Sequence, residues 1–423
     1  MPILLGENKR AGIQTEQGAL ALAAESRSLP IGAERRLAGG AIVLGGSHGS
    51  VGIARSLGKR GVTVWALSHD RAIQKSSRYV QKSPRWPLAP EATQLEMMLE
   101  FAEQHRLRDW VLFPAADAEV EFCSRNWSAL SQQFRMTTPP STVTRWALDK
   151  RLTYERCAAL QIDHPWTRIP TSLEELSSLD CRFPAILKPA VRSKSSPFVQ
   201  AKAWRVDDRS ALRERFHSAT SMTEPGAVIL QEMIPGGGEA QYSFAALCVE
   251  GKPIATLVSR RTRQYPIDFG YTSTFVETVE RPEIEEPAVR FLESIRYTGL
   301  VEIEFKYDRR DGRYKLLDVN PRVWTWHTLG RRAGIDFPYL MWLQAHGLPV
   351  PELRARSGVR WILGARDLVA AVLEMQRGTL HPSDYLRSLR PPLEFGLFSL
   401  DDPLPAVAAI AKLSRRLWGA RIR

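Results

Sequence analysis

Two carboxylates and an amide are spaced for joint chemistry in the later part of this 423-residue chain: Glu304 in LVEIEFKYD, and Asp318 and Asn320 in RYKLLDVN. Alternate side chains of a strand share a face, so Asp318 and Asn320 point the same way. Asp311-Gly312 between the two runs is a hairpin-turn pair, and pairing about it sets Glu304 opposite or nearly opposite Asp318. Facing positions on paired strands hold their Cβ atoms about 4.5–5.5 Å apart. Carboxylates that close repel unless a cation lies between them or one takes a proton. Oxygen donors of this kind suit Mg²⁺, which binds through one or two carboxylates and takes phosphate oxygens for the rest of its shell. The competing reading is a solvated sheet face carrying Glu302, Glu304 and Asp318, with Asn320 opening a turn before Pro321.

Several elements must position such a face. From Gly39 the text runs AIVLGG, SVGIARSLGKRG, VTVWALS, a strand, helix and strand that predict a parallel βαβ opening. A helix in MMLEFAEQHRL and a strand in DWVLFPA continue it. After Pro139-Pro140, LDKRLTYERCAALQI reads as a helix ended by Pro165 and Pro170. Strands are expected in FPAILKPA, AKAWRV, AVILQEMI, AQYSFAALCV and KPIATLVS, then a helix in PAVRFLESI, then the hairpin. Two more helices are expected in DLVAAVLEMQRG and PAVAAIAKLSRRLW.

A chain this long exceeds one hydrophobic core, so two or three domains are expected. With 44% hydrophobic and 25% charged residues it has the composition of a globular protein. Its net charge of +12 suits an anionic partner, whether nucleotide, nucleic acid, acidic metabolite or lipid head group. The four cysteines show no CxxC-type spacing, which points away from a zinc site or disulfide framework and toward a reducing cytoplasm. No run of eighteen apolar residues is present to span a membrane. Residues 1–38 read as a poorly ordered extension, since ALALAA is too short for a signal peptide.

The ordered set LDKRLTYERCAALQIDHPWT, AILKPA, VILQEMIPG, LVEIEF and LLDVNPR resembles the ATP-grasp superfamily, in particular its carboxylate–amine ligases. The resemblance spans about residues 39–350. It implies α/β and α+β architecture: a βαβ pre-ATP-grasp domain over 39–140, a two-lobed ATP-grasp domain over 141–350, and a mainly helical basic C-terminal region over 351–423. It implies ATP and Mg²⁺ (or Mn²⁺) as cofactors, and an amide-forming, ADP-releasing reaction through an acyl phosphate. By the same resemblance Lys150 and Lys188 hold phosphates, and Gln231, Glu232 and Ile234 form the hinge around adenine. Glu239 takes the ribose hydroxyls, and Glu304, Asp318 and Asn320 hold the metal. Arg322 contacts phosphate or acyl phosphate, and one arginine of the cluster Arg260, Arg261 and Arg263 joins it, with Arg260 and Arg263 the named candidates. Asp318 stands where the family more often has glutamate. The stretch after Lys188 lacks the family's usual glycine-rich flap, which leaves Ser193, Lys194, Ser195 and Ser196 to approach the phosphates.

Other readings compete. LGGSHGSVG follows a strand and opens a helix, as an NAD-dependent oxidoreductase would require, yet its glycines are not spaced GxGxxG. A non-catalytic basic module is the second rival. Val407, Ile410, Leu413 and Leu417 line a helix carrying Lys412, Arg415 and Arg416, so peripheral contact with an anionic inner membrane face is an option. No nucleic-acid module is recognisable. The expected partners are a small-molecule carboxylate and an amine. Asp117, Trp324, Trp326 and His327 either line the cleft or serve packing.

Overall fold

The computed structural model describes residues 39–421 except 47, 71–72, 192–197, 199–202, 225, 268–269 and 271, and in its last helix no side chain beyond Arg415. The expected extension at 1–38 and the serines 193, 195 and 196 with Lys194 lie outside the described residues.

Three sheets organise the chain. The first holds β1 (Ala41–Leu44), β2 (Val64–Leu67), β3 (Trp110–Pro114) and β4 (Phe134–Met136), all parallel, in the order β2-β1-β3-β4. Both of its faces are covered, which is why AIVL and VWAL are continuous apolar runs rather than alternating ones. Helix His48–Gly58 packs one face and helix Glu91–Gln104 the other. The second sheet is antiparallel, with β5 (Thr167–Arg168), β6 (Ala185–Pro189), β7 (Trp204–Val206) and β8 (Val228–Glu232) in the order β5-β8-β6-β7. Helices Leu173–Ser178 and Arg209–Thr220 close its core around Leu187, Phe216 and Leu230.

The third sheet has eight strands: β9 (Gln241–Val249), β10 (Lys252–Tyr265), β11 (Thr272–Thr278), β12 (Gly299–Asp308), β13 (Arg313–Asn320), β14 (Leu353–Arg354), β15 (Arg360–Ile362) and β16 (Leu393–Phe395). Its order is β13-β12-β9-β10-β11-β15-β16, with β14 on β10. The C-terminal stretch is mainly helical, as the resemblance implies, and also supplies the last three strands. These are only two or three residues long, too short for alternation to reveal.

The third sheet carries a different core on each face. Phe244, Ala246, Ile303, Phe305, Leu316 and Val319 pack under helices Ser141–Leu148, Lys150–Ala159 and Pro282–Ser294. Ala245, Leu247, Leu257 and Leu300 face the other way and join the helix His48–Gly58 and residues 323–343 in a second core. Along β12 that second face begins apolar at Leu300 and then turns to Glu302, Glu304 and Lys306. The site begins where this core stops.

Candidate active site

The hairpin forms with residues 309–312 in its turn, and Glu304 faces Asp318 while Glu302 faces Asn320. This register depends on one extra residue. From the turn upward, Asp308 pairs Arg313, Lys306 pairs Lys315 and Phe305 pairs Leu316; the register then shifts, so that Leu317 is passed over and Asp318 meets Glu304. Without that bulge Glu304 would face Leu317, and Asp318 would turn to the core side. The bulge leaves Leu316 and Val319, three apart, both in the core. The bulged backbone is pinned from outside, because the buried Tyr154 donates its hydroxyl to Leu317 O at 2.6 Å.

Cations alternate with these acids. Lys150 Nζ donates to Asp318 Oδ1 at 2.6 Å. Arg261 lies 3.3 Å from Glu304 Oε1 and donates to Gln241 Oε1 at 2.6 Å. Arg322 donates to Asn320 Oδ1 at 3.0 Å and to Asp117 Oδ1 at 2.5 Å. Asp149 caps the helix that Lys150 opens, accepting from Arg151 N, and this places Lys150 at the mouth of the cleft. Lys188, only 8% exposed, donates to the Tyr154 hydroxyl at 2.7 Å. Lys150, Asp318, Glu304, Arg261, Asn320 and Arg322 all line one pocket, together with Asp117 and Glu121 from the first sheet's helix Asp117–Arg125.

The arginine cluster needs correction. Arg261, rather than Arg260 or Arg263, stands at the carboxylates. A register shift between Arg261 and Arg263 on β10 breaks the alternation that would have set both on one face. Arg263 turns away, forms a buried ion pair with Asp367 at 2.7 Å and lies over the Phe275 ring. Arg260 donates from Nε to Glu239 O at 2.9 Å, on the loop after β8, and is not among the pocket's lining residues.

Beyond this face lie the residues that the resemblance assigns to the adenine hinge, on and after β8 of the second sheet. Gln231 is buried and donates to Thr167 Oγ1 at 2.9 Å. Glu232 accepts from Trp166 N at 2.9 Å, Arg310 at 2.7 Å and Lys315 at 3.1 Å, so its carboxylate ties the hinge to the hairpin. Against the cost of burial, the Trp166 N–H and then the two cations hold it in its charged form. Ile234 O and Gly236 O accept from Lys306 Nζ at 2.9 and 2.7 Å. Glu239 accepts from Gly237 N at 3.0 Å. Lys306 and Lys315 escaped the sequence reading; Lys306 stands two residues from Glu304 and so on its face, whereas Lys315 joins the face of Asp318 only through the bulge.

Glu302 was also missed as a site residue. It is 3% exposed, accepts from Ser243 Oγ at 2.8 Å and lies 3.4 Å from Asn320 Nδ2. Burial, and then the charge of Glu304 beside it, push its carboxyl up to about 7. A glutamate spaced two residues from a second one, and so on the same strand face, was the available signal. Trp324 and Trp326 are almost wholly buried yet border the pocket, while His327 packs against the helix His48–Gly58 at Gly52. A Cβ on Gly52 would come within 2.6 Å of the His327 ring, so this glycine of the LGGSHGSVG run serves close packing.

Comparison with known proteins agrees with this geometry. A family profile described as "ATP-grasp in the biosynthetic pathway with Ter operon" matches residues 225–363. The chain is similar to D-aspartate ligase of Enterococcus faecium (strain Aus0004), 26% identical over 301 residues that cover 66% of this chain and 70% of the relative. Among solved structures it resembles N5-carboxyaminoimidazole synthetase from Staphylococcus aureus, with a TM-score of 0.60 at 13% identity over 82% of this chain and 87% of that one. It also resembles L-amino acid ligase from Bacillus licheniformis, with a TM-score of 0.55 at 15% identity over 73% and 74% of the two chains. In the order of its motifs and the fold that carries them the chain is similar to ATP-grasp proteins, and the family profile itself matches its third-sheet region.

Proposed function

We propose that the chain is an ATP-dependent carboxylate–amine ligase. In the first step a substrate carboxylate oxygen attacks the γ-phosphorus and the bond to ADP breaks. In the second an amine attacks the acyl carbon, phosphate leaves and an amide remains. The observation that carries this reading is the cluster at one sheet face in which Glu304, Asp318 and Asn320 are met by Arg261, Lys150 and Arg322 around one pocket.

The donor set fits a hard divalent cation, since two carboxylates and an amide oxygen lie on one face and Lys150 and Arg261 already neutralise the carboxylates in its place. Glu304, Asp318 and Asn320 would hold Mg²⁺, which when bound offsets negative charge on transferring phosphate oxygens. Lys150 and Lys188 supply fixed positive charge for the phosphates, reaching them from the helix Lys150–Ala159 and from β6. Gln231, Glu232, Ile234 and Glu239 border the nucleoside, with Lys306 and Lys315 fixing the loop that carries them. Arg261 and Arg322 hold the acyl phosphate by charge-assisted hydrogen bonds and keep water from it. A solved structure of similar fold, the biotin carboxylase domain of 2-oxoglutarate carboxylase from Hydrogenobacter thermophilus, is in complex with MgADP and bicarbonate, which supports nucleotide binding by this fold.

Titration of ATP into the protein with Mg²⁺, and again with EDTA, tests the reading. Binding that needs Mg²⁺ and disappears in Asp318→Ala supports it, and ADP release with a panel of acid and amine pairs then finds the substrates. Binding indifferent to both changes refutes it.

A further inference from the structure

One buried hydroxyl joins the lysine of β6 to the strand that carries Asp318. Lys150 and Tyr154 stand four apart on helix Lys150–Ala159, and so on one face of it, and they meet Asp318 and Leu317, neighbours on β13. Tyr154 is 5% exposed, and its ring is stacked on His164 with centroids 5.7 Å apart and planes at 22°. The ring is thereby fixed, and its oxygen with it. That oxygen carries one proton, which goes to Leu317 O at 2.6 Å, and a lone pair accepts from Lys188 Nζ at 2.7 Å. Lys188 also lies over the ring, 4.9 Å from its centroid.

Each bond has a consequence for the pocket. Leu317 is the residue that the hairpin register passes over, and the bulge there is what turns Asp318 to Glu304. With no partner across the hairpin, the bulge is held from outside it, by the Tyr154 hydroxyl on Leu317 O and by Asp163 O, which accepts from Leu316 N at 2.8 Å. Lys188 comes from the second sheet, and the same hydroxyl selects one direction for its long side chain among many rotamers. Resting on the ligase reading, we infer that Tyr154 is a positioning residue for both halves of the nucleotide–metal site. Through Leu317 it sets the direction of Asp318, and with it the affinity for Mg²⁺. Through Lys188 it aims the cation that meets the phosphates. Neither role requires the hydroxyl to touch ATP or the metal.

The test is calorimetric titration of ATP into the full chain at stepped Mg²⁺ concentrations, with thermal melts in parallel. Tyr154→Phe removes one oxygen and keeps the packed ring, so the fold is retained. It should raise the Kd for ATP at saturating Mg²⁺ by about fivefold or more, the scale of one hydrogen bond, and raise the half-saturating Mg²⁺ concentration by about as much. The first value reads the link to Lys188 and the second the link to the bulge. Tyr297→Phe is the control, since that hydroxyl is also buried and donates to Leu300 O at 3.0 Å, outside the pocket. It should lower the melting temperature and move neither value. A folded Tyr154→Phe protein that keeps either value unchanged, or that changes no more than Tyr297→Phe does, overturns the inference and leaves the tyrosine a packing role. Absent ATP binding by the unaltered protein, or binding indifferent to Mg²⁺, would instead sink the ligase reading.

Discussion

Lys150 and Asp318 are joined by a 2.6 Å hydrogen bond between groups 168 residues apart in the chain. The contact closes the helix Lys150–Ala159 onto the hairpin of the third sheet, and it sets the cation proposed for phosphate directly on the carboxylate proposed for the metal. An ammonium and a divalent ion satisfy the same oxygen by the same electrostatics, so on the proposed reading this pair is where nucleotide and metal would meet.

Asp318→Ala should therefore abolish Mg²⁺-dependent ATP binding while the melting temperature stays within a few degrees, because Asp318 lies at the cleft and not in the core. Lys150→Met should weaken ATP binding by about tenfold or more, equivalent to about 1.4 kcal/mol. Calorimetry with parallel thermal melts reads both, and a folded Asp318→Ala protein with undiminished binding would contradict the assignment.

The three neighbouring arginines should separate cleanly. Arg261→Met should cut turnover by roughly a hundredfold, the scale seen on removing one charge-stabilising donor. Arg263→Met should leave Asp367 buried without its partner and lower stability by about 3–5 kcal/mol. Arg260→Met should do neither to a comparable degree. Urea unfolding and steady-state rates of the three variants decide it.

His327 gives the fold a pH dependence of known sign. Burial pushes its imidazole down to about 4, from an ordinary value of about 6.5. Between these values the unfolded chain takes a proton that the folded one refuses. The contribution is thus whole above about pH 6.5 and is lost as the pH falls toward 4, by roughly 3 kcal/mol in all. The stability difference between the unaltered protein and His327→Asn, followed by urea unfolding from pH 7.5 to 4.5, should change by that amount in favour of the variant. A difference flat across the range would show that the imidazole titrates normally.

Gly52 and His327 should be coupled. Gly52→Ala places a methyl 2.6 Å from the ring, an overpacking that costs about 1–3 kcal/mol. In a His327→Ala background the same substitution should cost clearly less, and a double-mutant cycle by thermal unfolding measures the difference.

Much of the site was legible because hairpins write themselves locally. Asp311-Gly312 marked the turn, and the acids on either side lay within a few residues of it. The bulge at Leu317 was legible only in part, as apolar Leu316 and Val319 three residues apart where alternation calls for two. The choice among Arg260, Arg261 and Arg263 was not legible. It turns on a register shift against β11, a strand with no motif of its own. Glu302 was passed over for a related reason: its burial depends on Ser243 and Asn320 coming from two other strands.

By itself the sequence determined the parallel opening, the hairpin and the ordered motifs that carry the resemblance to the ATP-grasp superfamily. The strands, the helix and the hairpin turn among these each depend on residues near one another in the chain, where turn chemistry and side-chain period act directly. Only the tertiary structure decided which face each arginine takes and how the last helix is used. Leu413 is half-buried while Val407 and Ile410 stay exposed, a division that periodicity alone could not make. That outcome rests on Arg55 and Asp402, 347 residues apart, meeting in the core. Contacts of that reach leave no period in the chain, because their geometry is set by every element packed between them.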